Sequence, residues 1–377
     1  MNLESKIVHI GINSDKKTGA ISTPIYNTAS FAHPALGKST GFDYTRSKNP
    51  TRQVVEDGIA LLENGSDGFA FSSGMAAITT VLMLYKTGDH IILADDCYGG
   101  TYRLFNKLFT NYGISFSVVD TSSAKLTAAA IKENTKAIFI ETPTNPMMKI
   151  TDIAALAGIC KEHNMQLIVD NTFLTPYFQR PLELGADIVV HSGTKYLAGH
   201  NDLLCGVIVT RENTIGEKIR FLQNATGNML SPNDSWLLIR GLKTLGLRME
   251  KHNENAGKIA KWLSTQPHIT NVYYPGLLTH PGKKIHDKQA SGCGGIISFA
   301  VDDAARVPQI LSRVKFIQFA ESLGGVESLI TFPACQTHMD IPLKIRQQLG
   351  ITDKLLRLSV GIENSQDIID DLQQALQ

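Results

Sequence analysis

The sequence predicts an α/β protein whose larger part is a mostly parallel sheet covered by helices on both faces. Two observations carry this expectation. Short apolar runs recur at 90–94, 117–119, 137–140, 166–169, 187–190 and 205–209. Between several of them, at 102–109, 124–131 and 153–163, apolar residues fall at helical spacing. A strand buried on both faces has no polar side to show, whereas a half-wet antiparallel strand reads as alternation. The length, 377 residues, adds that one small core is not enough, so a second, smaller unit is expected.

In chain order, residues 1–50 read as an irregular arm, because Gly11, Gly19, Pro24, Pro34, Gly37, Gly41 and Pro50 interrupt every periodic segment. A helix is expected over 52–62, then the strand-like Phe69-Ala70-Phe71, then a buried helix over 76–85 opening behind Ser72-Ser73-Gly74. The strand and helix alternation follows until about residue 232, where one long amphipathic helix is expected over 232–254, leading out of the sheet. Strands at 294–301 and 315–320 with helices at 304–312 and 366–376 make a smaller α+β unit. The expected division is an arm at 1–50, a sheet domain at 51–245 and a C-terminal α+β domain at 246–377.

Composition narrows the function classes. Thirty-six basic against thirty-five acidic residues leave a net charge of +1, with no basic field to attract nucleic acid or an anionic membrane surface. The apolar stretches 76–85 and 294–301 fall well short of the roughly 20 residues that span a bilayer. The opening Met1-Asn2-Leu3-Glu4-Ser5-Lys6 lacks the basic-then-apolar order of a secretory signal, so the cytoplasm is the expected compartment. The five cysteines (Cys97, Cys160, Cys205, Cys293, Cys335) are scattered without a C-x-x-C pair and read as small buried hydrophobes in a reducing compartment. Eleven histidines form no H-E-x-x-H and no zinc spacing, and no metal is expected.

The informative loops follow strands, where open parallel sheets hold their ligands. Leu167-Ile168-Val169 runs into Asp170-Asn171-Thr172-Phe173, and Asp187-Ile188-Val189-Val190 runs into His191-Ser192-Gly193-Thr194-Lys195-Tyr196. Taken singly, a capping aspartate and a surface lysine explain each. Together, an acid at one strand end and a lysine 25 residues on at the next suit pyridoxal 5′-phosphate (PLP). That cofactor needs a lysine for its Schiff base, an acid at its pyridinium nitrogen and amides for its phosphate. Ser73-Gly74-Met75 provides a helix start whose free N–H groups favour an anion, although alone it is equally a plain cap. Ser192 and Thr194 add hydroxyls beside Lys195. No G-x-G-x-x-G follows the first strand, which disfavours a nicotinamide enzyme.

Further stretches complete a pattern: Tyr44-Thr45-Arg46-Ser47-Lys48-Asn49-Pro50-Thr51-Arg52, Tyr98-Gly99-Gly100-Thr101-Tyr102-Arg103, Glu141-Thr142-Pro143-Thr144-Asn145-Pro146, Glu321-Ser322-Leu323-Gly324-Gly325 and Arg357-Leu358-Ser359-Val360-Gly361-Ile362-Glu363. With the motifs at 73–75, 170–173 and 191–197, the chain resembles the Cys/Met-metabolism PLP enzymes along nearly its whole length. That family includes cystathionine γ-synthase, cystathionine γ- and β-lyases, methionine γ-lyase and O-acylhomoserine sulfhydrylases. The resemblance implies the PLP-dependent aminotransferase-like fold (fold type I), with a sheet of the seven-stranded type. It implies that Lys195 holds PLP and shuttles protons, that Asp170 keeps the ring nitrogen protonated and that Tyr98 stacks on the ring. Gly74, Met75, Ser192 and Thr194 are implied to bind phosphate within one subunit. Tyr44 and Arg46 are implied to reach the phosphate of a neighbour, in a homotetramer built from two dimers with shared active sites. Arg357, helped by Ser322 and Asn145, is implied to hold the substrate α-carboxylate as a planar fork.

Within the family, β-carbon lyases tend to carry an aromatic where this chain has Glu321, which resembles the γ-carbon enzymes. Tyr98-Gly99-Gly100-Thr101 departs from the Tyr-Gly-Cys-Thr of methionine γ-lyases. Asp43 could hold the amino group of an incoming cysteine and Arg103 a distal carboxylate; solvated surface charge remains the alternative reading for both. Lys48, Gly199-His200-Asn201-Asp202 and Thr337-His338-Met339-Asp340-Ile341-Pro342 lie closer to the biosynthetic γ-synthases. The expected reaction is therefore synthesis of cystathionine from an O-acylhomoserine and cysteine. γ-Lyase is the alternative, and O-acylhomoserine sulfhydrylase and a non-catalytic regulator stand further off.

Overall fold

A computed structural model describes residues 1–339 and 341–377; Asp340, part of the Thr337–Pro342 motif, lies outside the described residues. The larger sheet has seven strands: β1 (Asp67–Phe71), β2 (His90–Ala94), β3 (Ser115–Val119), β4 (Thr135–Glu141), β5 (Gln166–Asp170), β6 (Ile188–Ser192) and β7 (Gly206–Thr210). Their order is β1-β7-β6-β5-β4-β2-β3. β3, β2, β4, β5 and β6 run parallel, while β7 runs antiparallel to both neighbours, β1 and β6. The apolar runs are strands because both faces are covered. Phe69, Leu93, Phe139 and Ile168 pack on one face and Ile92, Ile138, Leu167 and Val189 on the other, all essentially solvent-free. Each such side chain contributes about 1.5–3 kcal/mol by leaving water.

The helices that cover the sheet begin with local signals. Asn49 caps the helix Pro50–Glu63 by accepting from the amides of Thr51 and Arg52, with proline in the first turn. Ser73 caps Gly74–Leu82 in the same way through Ala76 N, and Asp152 caps Ile153–Glu162 through Ala155 N.

A second, five-stranded sheet is built from β8 (Ile269–Tyr273), β9 (Ile296–Val301), β10 (Gln318–Phe319), β11 (Leu329–Thr331) and β12 (Leu355–Ser359), in the order β10-β11-β12-β9-β8. Its own core holds Ile259, Phe299, Ile330, Leu358 and Leu372. The helix Leu245–Leu263 serves both cores: Leu245 and Met249 pack with the first, Ile259 and Leu263 with the second.

β8, β11, β12 and the helix Asn213–Thr226 stand where no element was expected, and three expected segments take a different form. The helix expected over 232–254 is two helices, Pro232–Leu242 and Leu245–Leu263. The buried guanidinium of Arg248 takes the carbonyl of Gly241 at 2.7 Å and the hydroxyl of Thr244 at 3.0 Å, and the chain turns there. The strand expected at 315–320 shrinks to Gln318–Phe319, because the amides of Lys315, Phe316 and Ile317 donate to the Asp371 carboxylate instead of a neighbouring strand. Within the arm, Leu3–Val8 forms a short helix that buries Ile7.

Candidate active site

β5 ends on Asp170 and its neighbour β6 on Ser192. The chain leaves β6 in a tight turn, Lys195 N donating to Ser192 O at 3.1 Å, so the lysine stands just beyond the strand end. A cavity of ≈ 220 Å³ opens there. Gly74, Met75, Tyr98, Asn145, Asp170, Ser192, Thr194, Lys195, Glu321, Ser322 and Arg357 are all among its walls. The topology thus brings together residues up to 283 positions apart, from Gly74 to Arg357.

One end of the cavity is suited to an anion. Gly74 opens its helix against β6 so closely that a Cβ there would stand 3.0 Å from that of Ser192; glycine permits the contact. The first amides of that helix, at Gly74 and Met75, have no carbonyl four residues back within the helix and sit at the cavity wall. The Thr194 hydroxyl is engaged elsewhere: it donates to Cys205 O at 3.1 Å and accepts from Cys205 N at 3.0 Å, so it braces the turn that carries Lys195.

The floor is acidic. Asp170 Oδ1 accepts from the backbone N–H and hydroxyl of Thr172, at 3.0 and 2.5 Å, and the same hydroxyl accepts from Ser192 N at 2.9 Å, tying the ends of β5 and β6. Burial raises the Asp170 pKa, against the Thr172 donors that favour its charge. Beneath, fully buried Glu63 accepts from His191 Nε2 at 2.6 Å and from Asn171 Nδ2 at 3.0 Å, anchoring the residues beside Asp170 and Ser192.

Opposite, Lys195 Nζ donates to Ser322 Oγ at 2.7 Å. Ser322 has φ +90°, a conformation usually left to glycine, so the loop holds this hydroxyl at some strain. Burial first and the Arg357 charge second pull the Lys195 pKa down to about 8, while Glu321 acts the other way. Arg357, in the centre of β12, is 1% exposed, and among the described residues no carboxylate stands at ion-pair distance from it. It donates to Asn145 Oδ1 (2.9 Å), Ser322 O (2.9 Å) and Thr331 Oγ1 (3.1 Å), and its buried Nε–H is left without a partner. Burial lowers its pKa to about 10, which keeps it cationic at neutral pH.

Four expected residues lie outside these walls. Tyr44, 46% exposed, and Arg46 line a separate groove with Met229 and Pro232. There the Arg46 guanidinium lies 5.7 Å from the Tyr44 ring centre. Asp43 accepts from Ser39 Oγ at 2.5 Å and stands 3.5 Å from His33 Nε2 in the arm. Arg103 is exposed on the helix Gly99–Lys107.

Among the cavity residues with no role assigned from sequence, Glu141 is the ionisable one. Glu141 ends β4, pairs in register with Asp170, and accepts the backbone N–H of Tyr98 at 3.0 Å. Its signal was the one that marks Asp170, an acid closing an apolar run.

The donor set fits PLP. A buried amine of lowered pKa can meet an aldehyde, a buried carboxylate can hold a ring N–H, helix amides can take a phosphate, and an unsatisfied guanidinium N–H awaits a carboxylate.

Comparison with known proteins agrees with this chemistry. The family model described as Cys/Met metabolism PLP-dependent enzyme matches residues 4–377. The cystathionine gamma-synthase/O-acetylhomoserine (thiol)-lyase of Bacillus subtilis is 53% identical over 375 residues, covering 100% of this chain and 96% of that one. A cystathionine beta-lyase of Lactococcus lactis is 50% identical over 376 residues, covering 100% and 99%. The crystal structure of a cystathionine gamma-lyase from Lactobacillus plantarum, complexed with L-serine, matches with a TM-score of 0.98 at 48% identity, covering 100% and 98%.

Proposed function

The chain belongs to the Cys/Met-metabolism PLP-dependent enzymes, and from that premise we propose that it acts at the γ-carbon, making cystathionine from an O-acylhomoserine and cysteine. It is a PLP-dependent trans-sulfuration enzyme working on small amino-acid substrates. Overall identity does not choose among the activities, since synthase, β-lyase and γ-lyase relatives lie at 53%, 50% and 52%. The observation that carries the choice of the γ-carbon over the β-carbon is local. Glu321, beside Ser322, lines both the cavity and the groove that continues from it past Asp202 and Glu327. A carboxylate at that mouth leaves room and polarity for a homoserine-derived chain and for the ammonium group of a second amino acid. An aromatic ring there would shorten the pocket.

Bound PLP contributes an electron-withdrawing ring that stabilises negative charge on a substrate carbon. The chain's residues do the rest. Asp170 would hold the proton on the ring nitrogen, with Thr172 keeping its carboxylate in place. Arg357, oriented by Asn145 and Ser322, receives the α-carboxylate on its free Nε–H. Lys195 Nζ, steadied by Ser322 Oγ, moves the proton between the α-carbon and its neighbours. Tyr98, at the cavity wall, would stack on the ring. Tyr44 and Arg46 stand outside their own cavity and serve a neighbouring subunit in a homotetramer, in the cytoplasm. Among the described residues no helix is long and apolar enough to cross a membrane.

The test compares purified protein given cystathionine alone with protein given O-acetyl- or O-succinylhomoserine plus cysteine. The synthase reading expects net cystathionine in the second mixture at a rate above keto-acid release in the first. Keto acid without net cystathionine would assign a lyase instead.

A further inference from the structure

Two carboxyls, Glu141 and Asp170, close adjacent parallel strands at the same register, on the same cavity and both nearly solvent-free. Strand neighbours lie about 4.8 Å apart, and in a dry site so near a carboxylate disfavours the ionisation of a second one. The hydrogen bonds decide which keeps the charge. Asp170 accepts two from Thr172, whereas Glu141 accepts one, from the Tyr98 backbone N–H.

We propose that Glu141 is a positioning residue that stays an undissociated acid, leaving the pair's single negative charge on Asp170 while it fixes the backbone of Tyr98. This rests on the PLP reading above. Besides Asp170, the groups that face Glu141 are Asp96 and the buried Cys97 thiol after β2, the Tyr98 amide before the helix Gly99–Lys107, and Arg357 on β12. Burial, then the Asp170 charge, hold the Glu141 carboxyl well above the usual range; only Arg357 and the single amide oppose them. A carboxylate at Glu141 would divide the field that Asp170 directs at the ring nitrogen. A neutral acid leaves that field undivided and keeps an oxygen for Tyr98, so one side chain serves both the acid that would hold the ring nitrogen and the aromatic that would stack on the ring.

Infrared difference spectra of the full chain at pH 7, wild type minus Glu141→Gln, test the protonation state directly. An undissociated-carboxyl band present in the wild type and lost in Glu141→Gln is expected; no difference band overturns the proposal. Affinity for PLP tests the anchoring: Glu141→Gln keeps an oxygen for Tyr98 and holds Kd within about threefold, while Glu141→Ala weakens it at least about tenfold. Equal losses in both variants overturn it, and should Glu141→Ala fail to fold, the glutamine measurements decide alone. The coupling is read from the pH titration of the visible band of bound PLP. In the wild-type background Glu141→Gln shifts the midpoint by less than about 0.3 pH unit. After Asp170→Asn the charge passes to Glu141, and adding Glu141→Gln lowers the midpoint by about one unit. Additive shifts overturn the shared charge. A wild-type protein that gains no visible band with PLP overturns the cofactor reading instead, and the infrared result still stands on its own.

Discussion

Lys195 offers a prediction that can be worked from its surroundings. Burial and the nearby Arg357 charge lower its pKa to about 8 in the cofactor-free chain. At pH 7 about 10% of such an amine is neutral, against roughly 0.04% of a lysine at its ordinary 10.4, a difference of about 200-fold in the form that can attack an aldehyde. The perturbation is pH, and the assay is stopped-flow recombination of apoenzyme with PLP, followed by the visible band. The rate should climb about tenfold per pH unit below 8 and flatten above it. Glu321→Gln should move the bend lower, since Glu321 favours the charged amine, and Arg357→Leu should move it higher, since Arg357 opposes it. A bend near 10, or one indifferent to both substitutions, refutes the claim that burial and these two charges set the lysine.

Asp170→Asn should retain PLP but lower kcat by more than tenfold, about 1.4 kcal/mol, because an amide does not hold a proton on the ring nitrogen as a carboxylate does; steady-state kinetics check this. Mixing an Arg46→Ala chain with a Lys195→Ala chain should restore activity after subunit exchange, since one site of the hybrid then carries both intact residues. Hybrids without activity would mean that each chain builds its own site.

The fold was legible where burial is uniform and obscure where a polar group interrupts it. Strands β2, β4, β5, β6 and β7 are nearly unbroken apolar runs and could be read directly. β12 could not, because Leu355-Leu356-Arg357-Leu358-Ser359 places a guanidinium in a fully buried strand, a choice made by the site and not by the sheet. The break before Leu245 and the shortened strand at Gln318 depend on Arg248 and Asp371, partners distant in sequence whose hydrogen bonds no periodicity announces. The direction of β7 was hidden for a related reason, since an apolar strand reads the same either way. At the site, Asp170 and Lys195 could be found from their strand-end positions, and the same reasoning applied to Glu141 would have found it too. Arm residues Asp43, Tyr44 and Arg46 are expected at a site from resemblance alone, and a single chain leaves them outside its own cavity.

The account turns on attack at the γ-carbon, and the keto acid released from cystathionine alone tests that most directly. With Glu321 at the mouth of the cavity, the cleaved bond should be the one at Cγ, so cysteine and 2-oxobutyrate should dominate even if turnover is slow. Pyruvate and homocysteine as the main products would contradict it.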